Sequence, residues 1–163
     1  MDTDELRELA TRVGEQLRRR GARLVTAESC TGGWVAKELT AVPGCSAWFD
    51  MGFITYSNRA KRELLGVRAG TLDTHGAVSE ATVAEMAAGA LARSGADLAL
   101  AISGIAGPGG GTPDKPVGLV CLGWVTRDGR LRSVSEHFPG DREAVRARAV
   151  ACALRGVLDV LDT

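Results

Sequence analysis

The sequence predicts an α/β fold: a single-domain, three-layer α/β/α sandwich built on a mixed sheet. Three observations carry this reading. Short apolar runs alternate with longer stretches of helical periodicity through most of the chain. Asp128-Gly129 then divides residues 117–138 into two strand-like halves, the mark of an antiparallel hairpin. Finally, 163 residues suffice for one sizeable core and are few for two ordinary domains. Strands alternating with helices, followed by an antiparallel pair, give a mixed sheet covered by helices.

The elements follow in order. Residues 4–19 place Leu6, Leu9, Ala10, Val13 and Leu17 at helical spacing, with Gly21 as the stop. Arg18, Arg19 and Arg20 suit the negative end of that helix; a local anion patch is the other reading. "RLVTA" (23–27) is a buried strand. "TGGWVAKELTAV" is a helix beginning near Thr31 and ending before Pro43-Gly44. "AWFDMGFITYS" (47–57) is a strand rich in aromatic and β-branched residues, and "NRAKRELLG" a short helix closed by Gly66. Residues 67–78 read as a loop. Ser79, with Thr82 and Glu85 near, opens an alanine-rich helix stopped by Gly95. "DLALAIS" (97–103) is a strand that runs into "GIAGPGGGTPDKP" (104–116). After the hairpin, residues 141–161 form a closing helix with Asp141 as N-cap.

Composition narrows the function classes. Apolar residues make 45% of the chain, charged residues 25%, and the formal net charge is zero. Such a balance fits a soluble globular protein and offers no basic excess for nucleic acid. The N-terminus is acidic and polar, unlike a signal peptide, and no apolar run approaches the ~18 residues of a membrane span. Cys30, Cys45, Cys121 and Cys152 form no CxxC pair and no His/Cys cluster at zinc spacing. The expectation is a cytoplasmic protein with reduced thiols.

"AESCTGG" (27–33) is the first stretch that suggests chemistry. It joins a strand to a helix and puts Ser29 near the helix N-terminus. Unpaired N–H groups there favour a developing oxyanion or a phosphate. Gly32 and Gly33 admit a ligand close to the backbone. The plain alternative is a serine N-cap with packing glycines, and the residues alone leave both readings open. The glycines of a GxSxG elbow are missing, being Ala27 and Thr31. Cys30 is the rival nucleophile, as thiols at helix N-termini can be acidified. His75 and His137 are the only histidines, and neither has a context that marks a base.

A serine without histidine needs another base. The chain holds 17 arginines but only three lysines, Lys37, Lys61 and Lys115. Lysine can lose its proton on burial, whereas arginine stays charged. Lys37 lies about two helical turns beyond Ser29, and Lys115 belongs to the glycine-rich loop, where it would meet a ligand. Lys61 is the best-placed base, with Tyr56 as a relay or acid toward the leaving group. A solvated helix lysine and an edge aromatic are the plain readings of the same pair. The loop from Ser103 follows a strand's C-terminal end, where open α/β sheets bind ligands, and its backbone suits phosphate. It lacks the Gly-Lys-Ser/Thr of a Walker A loop. Arg142, Arg146 and Arg148 add positive charge in "GDREAVRAR".

Taken together, "AESCTGG", "ITYSNRAK", "GAVSEATVAEMA", "SGIAGPGGGTPDKPVG" and "GDRE" resemble the nicotinamide-nucleotide amidase family. This is the family of the C-terminal domain of the competence/damage-inducible protein CinA. The resemblance runs from about residue 5 to the C-terminus, several motifs occurring in the right order. It implies hydrolysis of nicotinamide mononucleotide to nicotinic acid mononucleotide and ammonia, in pyridine nucleotide salvage, without cofactor or metal. By resemblance the catalytic residues are Ser29, Tyr56 and Lys61, with backbone donors around Cys30 to Gly33 for the oxyanion, so Thr31, Gly32 and Gly33 line the substrate. Ser103, Gly104, Ile105, Ala106 and Gly107 map onto the substrate loop, and Arg142 onto a C-terminal arginine. Members are commonly oligomeric. The chain departs at Ser103, where threonine is common, and at Met51-Gly52 after Asp50, where a glycine pair is usual. The contrasting readings are a silent nucleotide-binding module of the same fold and a thiol enzyme using Cys30.

Overall fold

The computed structural model describes residues 2–163. Five strands form one sheet: β1 (Leu24–Glu28), β2 (Phe49–Ile54), β3 (Leu98–Gly104), β4 (Leu119–Thr126) and β5 (Leu131–His137). Six helices cover it: α1 (Thr3–Arg20), α2 (Trp34–Thr40), α3 (Asn58–Leu65), α4 (Ala69–His75), α5 (Glu80–Ala92) and α6 (Arg142–Leu161). The strand order is β2-β1-β3-β4-β5. The first three strands are mutually parallel and the last two antiparallel to their neighbours. The mixed three-layer sandwich read from the sequence is the observed fold.

Side-chain alternation along the central strands builds two cores. Leu98, Leu100 and Ile102 of β3 join α1 and α6 in the larger one. Ala99 and Ala101 turn to the other face, where α5 packs with Val83, Met86, Ala87 and Ala90. Small residues let this second layer come close. A Cβ on Gly89 would strike the Leu65 carbonyl, so α5 and α3 touch backbone to backbone. On the opposite face the Trp124 ring fills the space where Gly156 has no side chain, and its Nε1 donates to the Ala153 carbonyl at 3.1 Å.

Three boundaries differ from expectation. Residues 67–78 are not a continuous loop, because α4 forms there. Its start is held by Glu85 of α5, which accepts from the Arg68 N–H at 2.9 Å and from the Thr71 hydroxyl at 2.5 Å. Helix α2 begins at Trp34 rather than near Thr31, since Gly32 and Gly33 have φ of 59° and 100°, outside the helical region. The strand expected over 47–57 is only Phe49–Ile54, preceded by a 3-10 turn at Cys45–Ala47.

The topology fixes where a ligand can enter. Helix α2, after β1, packs on the α1/α6 layer, while α3 to α5, after β2, lie on the other side. The chain therefore reverses direction across the sheet between β1 and β3, and the crevice lies at the carboxyl ends of those strands. Ser29 follows β1, Thr55 and Tyr56 follow β2, and Ile105 follows β3. Strand pairing persists past the strand ends: Ser29 N–H donates to Ile102 at 3.0 Å, and Thr55 N–H to Glu28 at 2.8 Å. The three segments thus meet with fixed backbones.

Candidate active site

Lys61 is the first group to consider, because its position is expensive. In α3 it shares the inward face with Leu65, four residues on, and is only 1% exposed. Its Nζ lies 2.9 Å from Ser29 Oγ, 2.8 Å from the Thr55 carbonyl and 3.0 Å from the Tyr56 carbonyl. Burial disfavours the ammonium and brings its pKa down from 10.5 to about 8. Two of its partners are carbonyls, which only accept. When the amine is neutral its two N–H groups go to those carbonyls, and the lone pair is left facing Ser29 Oγ. That is the geometry of a base against a hydroxyl. Ser57 sets the register of α3 by capping it, accepting from the Ala60 N–H at 3.0 Å.

Of the three lysines, only Lys61 meets the serine. Lys37 is exposed on α2, and Lys115 donates to the His75 carbonyl. Both histidines are exposed, one ending α4 and the other ending β5. Cys30 is 5% exposed, and burial pushes its thiol up to about 11, so it stays protonated near neutrality.

Tyr56 acts at two places. Its carbonyl accepts from Lys61 and stands 3.4 Å from Ser29 Oγ. Its side chain is 63% exposed, and the phenol oxygen lies 3.4 Å from Arg142 Nη2. Among the described residues the phenol makes no hydrogen bond to Ser29 or Lys61. Arg142, at the start of α6, donates through Nη1 to the Gly107 carbonyl at 2.8 Å. It therefore links the tyrosine to the glycine-rich loop. The other two arginines of its cluster are occupied elsewhere: Arg148 donates to Pro139 at 2.7 Å, and Arg146 to the Cys30 carbonyl at 3.0 Å.

Glu28 is the residue that sequence reasoning missed. It is fully buried, and its carboxylate accepts from the Thr31 hydroxyl at 2.6 Å and from the N–H groups of Val35 and Ala36, each at 3.0 Å. It thus caps α2 from seven and eight residues away. The remaining amides at that end go to the chain itself: Trp34 to Thr31 and Lys37 to Gly33. The helix terminus is consequently closed to an incoming anion. Thr31, wholly buried, has its hydroxyl committed to the turn. Backbone donors that remain for an oxyanion belong to the turn and not to the helix. Gly32 N–H is spent on the Ser29 carbonyl at 3.1 Å, whereas those of Cys30, Thr31 and Gly33 have no acceptor on another described residue. A charged residue just before the serine was the available signal for Glu28, though its partners are not adjacent in sequence.

Across the crevice, Ser103 is 2% exposed, and Ile105 is anchored to Leu119 at 2.8 Å. A Cβ on Gly104 would come within 2.7 Å of Val120, and one on Gly107 would collide with Val117. Ala106 is buried in the larger core. The loop therefore leaves the sheet on a fixed path and opens to solvent from Pro108 onward. The two departures are also accommodated. Gly52 faces Thr26, whose Oγ1 would be 2.7 Å from an added Cβ. Asp50 accepts from Gly95 N–H at 2.8 Å, and Met51 sits 37% exposed on the edge strand. Among the described residues no group of His, Cys, Asp and Glu is arranged to hold a metal, and no helix is long and apolar enough to cross a membrane.

Comparison with known proteins agrees with this architecture. The family model described as CinA C-terminal domain matches residues 6–161. The chain belongs to the CinA C-terminal domain family. It is 55% identical over 155 residues to the nicotinamide-nucleotide amidohydrolase PncC of Escherichia coli (strain K12), covering 95% of this chain and 94% of that protein. It is 52% identical over 158 residues to the protein of that name from Pseudomonas putida, covering 96% and 98%. A longer relative, the CinA-like protein of Chloroherpeton thalassium (strain ATCC 35110 / GB-78), is 58% identical over 157 residues, which span 94% of this chain and 37% of that protein. Among solved structures, the competence/damage inducible protein CihA from Agrobacterium tumefaciens superposes with a TM-score of 0.94 at 46% identity, covering 98% and 96%.

Proposed function

We propose that this member of the CinA C-terminal domain family is a nicotinamide-nucleotide amidase. It would hydrolyse the carboxamide of nicotinamide mononucleotide to nicotinic acid mononucleotide and ammonia, within pyridine nucleotide salvage. The observation that carries the chemistry is the buried Lys61 amine 2.9 Å from Ser29 Oγ. The observation that carries the substrate is the identity of 55% to proteins named for that reaction.

The sequence of events follows from the groups at hand. Neutral Lys61 takes the proton of Ser29 as Oγ attacks the carboxamide carbon. Turn amides near Cys30 and Thr31 receive the oxyanion. The Lys61 ammonium then returns its proton to the departing nitrogen, and ammonia leaves the acyl ester. Water, deprotonated by the same amine, cleaves the ester and regenerates Ser29. Because α2 is closed by Glu28, the ribose phosphate is assigned to the other side of the crevice, where Arg142 and the backbone from Ser103 to Gly107 stand. There the Tyr56 phenol, beside Arg142, serves the substrate rather than the proton path, which revises its expected role as relay. The reading is of one amidase domain acting in the cytoplasm, where its thiols stay reduced.

A nucleotide-binding module without catalysis gives no reason to desolvate a lysine beside a serine. The test is ammonia release from nicotinamide mononucleotide in the presence of EDTA. Wild type should turn over, while Ser29→Ala and Lys61→Ala should each lose at least ~1,000-fold in kcat with the fold intact by circular dichroism. Turnover within tenfold of wild type in either variant would falsify the mechanism.

A further inference from the structure

The turn carrying Ser29 is gripped by a residue that the mechanism above does not use. Arg146, on the second turn of α6, reaches back 116 residues in sequence. Its Nε donates to the Cys30 carbonyl at 3.0 Å and its Nη2 to the Thr31 carbonyl at 3.3 Å. The guanidinium is itself held over the Trp34 ring, 5.6 Å from the centroid.

A trans peptide unit is planar, with its carbonyl and its N–H pointing in opposite directions. Holding the Cys30 carbonyl therefore directs the Thr31 N–H away from the guanidinium. Holding the Thr31 carbonyl directs the Gly32 N–H likewise, and that N–H closes the turn on Ser29. Thr31 N–H, two residues beyond the serine and without an acceptor on another described residue, is free to serve an oxyanion. A cation on the carbonyl end also polarises the peptide and strengthens its N–H as a donor. Glu28 cannot replace this grip, since its bonds reach only the Thr31 hydroxyl and the α2 amides.

We propose that Arg146 is a positioning residue for acyl transfer: by holding the Cys30 and Thr31 carbonyls it keeps the amides of the Ser29 turn aimed at the oxyanion. This rests on Ser29 being the nucleophile, as proposed above. Two of its nitrogens, Nε and Nη2, are engaged on the turn, which is the role tested here.

The experiment compares wild type, Arg146→Lys and Arg146→Met, with Ser29→Ala as blank. Met keeps an apolar stem over Trp34 and removes the guanidinium, its donors and its charge together. The first readout is the rate at which a fluorophosphonate labels Ser29, followed by intact mass. The second is kcat and KM for nicotinamide mononucleotide. For Arg146→Met, labelling and kcat should both fall about 10- to 100-fold, less than or equal to the loss of a direct oxyanion donor. KM should stay within about threefold, Arg146→Lys should recover part of the loss, and the pH profile should keep the wild-type inflection. A labelling rate within twofold of wild type, or a loss confined to KM, would overturn the proposal. Should Arg146→Met not fold, Arg146→Lys decides: a kcat equal to wild type overturns it, and a reduced kcat at unchanged KM supports it. Wild type labelled at Ser29 yet inert toward the nucleotide would overturn the substrate assignment alone, with Arg146 still judged on labelling rates. Wild type that is not labelled at Ser29 would overturn both.

Discussion

Two glycine-containing loops flank the crevice, one after β1 and one after β3, and they solve different problems. In the first, residues 29–33, the carbonyls of Ser29, Cys30, Thr31 and Gly33 are all taken, and the open groups are the amides of Cys30, Thr31 and Gly33. Glu28 consumes a hydroxyl and two amides, and Arg146 consumes two carbonyls. The second, from Gly104 on, is anchored near its base by Ile105 and Arg142 and at its far end by Lys115, which donates to the His75 carbonyl, and is exposed between them from Pro108 to Asp114. On the proposed mechanism the first turn carries the reacting atom, which has to be placed to a fraction of an ångström, and its fixed carbonyls serve that placement. A nucleotide has to enter and leave, so the loop on its other side keeps open backbone. Two stretches that look alike in composition thus differ in how many of their polar groups are already spent.

That contrast can be broken by substitution. The largest effect on stability belongs to Glu28→Ala. It strands the Thr31 hydroxyl, the buried Val35 amide and the half-buried Ala36 amide, so it should cost about 3 kcal/mol, read as a fall in Tm of roughly 10 °C. The counterpart in the open loop is Gly109→Ala, where an added Cβ meets nothing within 4 Å. Its Tm should match wild type within about 1 °C. Equal losses from the two substitutions would remove the distinction between the loops.

Arg142→Ala comes next and sharpens the division of labour. It should raise KM about tenfold or more while kcat changes less than about threefold, the pattern of lost uniform binding. A fall in kcat at constant KM would instead move Arg142, and Tyr56 with it, into the proton path. The smallest effect is that of Cys30→Ala. With its thiol pushed up to about 11 by burial, kcat should remain within about threefold of wild type. Loss of turnover there would revive the thiol mechanism.

The sequence carried the fold class in its alternating periodicities and in Asp128-Gly129. Ser79 and Asp141, read as helix starts, both cap helices in the structure, because a capping residue acts on an amide only three positions away. What escaped was non-local. Helix α4 contains Gly70, Thr71 and Thr74, poor helix formers, and it needs Glu85 from another helix to hold its start. The Ser29–Lys61 contact spans 32 residues and was legible only as the best of three lysines, then by family resemblance. Geometry adds the burial that makes an amine of it. Glu28 looked like an ordinary charge before a serine, yet it decides that the helix terminus is unavailable to phosphate. Tyr56 was read by its side chain alone, while its carbonyl accepts from Lys61 and stands beside Ser29 Oγ.

Lys61 also ties the site to pH. Its folded pKa, about 8, is lower than its ordinary 10.5, so the unfolded chain holds the extra proton between those values. Stability therefore rises with pH through that window, and on the proposed mechanism activity rises as the amine deprotonates. The direct test of the central claim is kcat/KM for nicotinamide mononucleotide from pH 6 to 10. If Lys61 is the base for Ser29, kcat/KM climbs about tenfold per pH unit below about 8 and levels above it. A profile that is flat across that range, or that falls with rising pH, would contradict it.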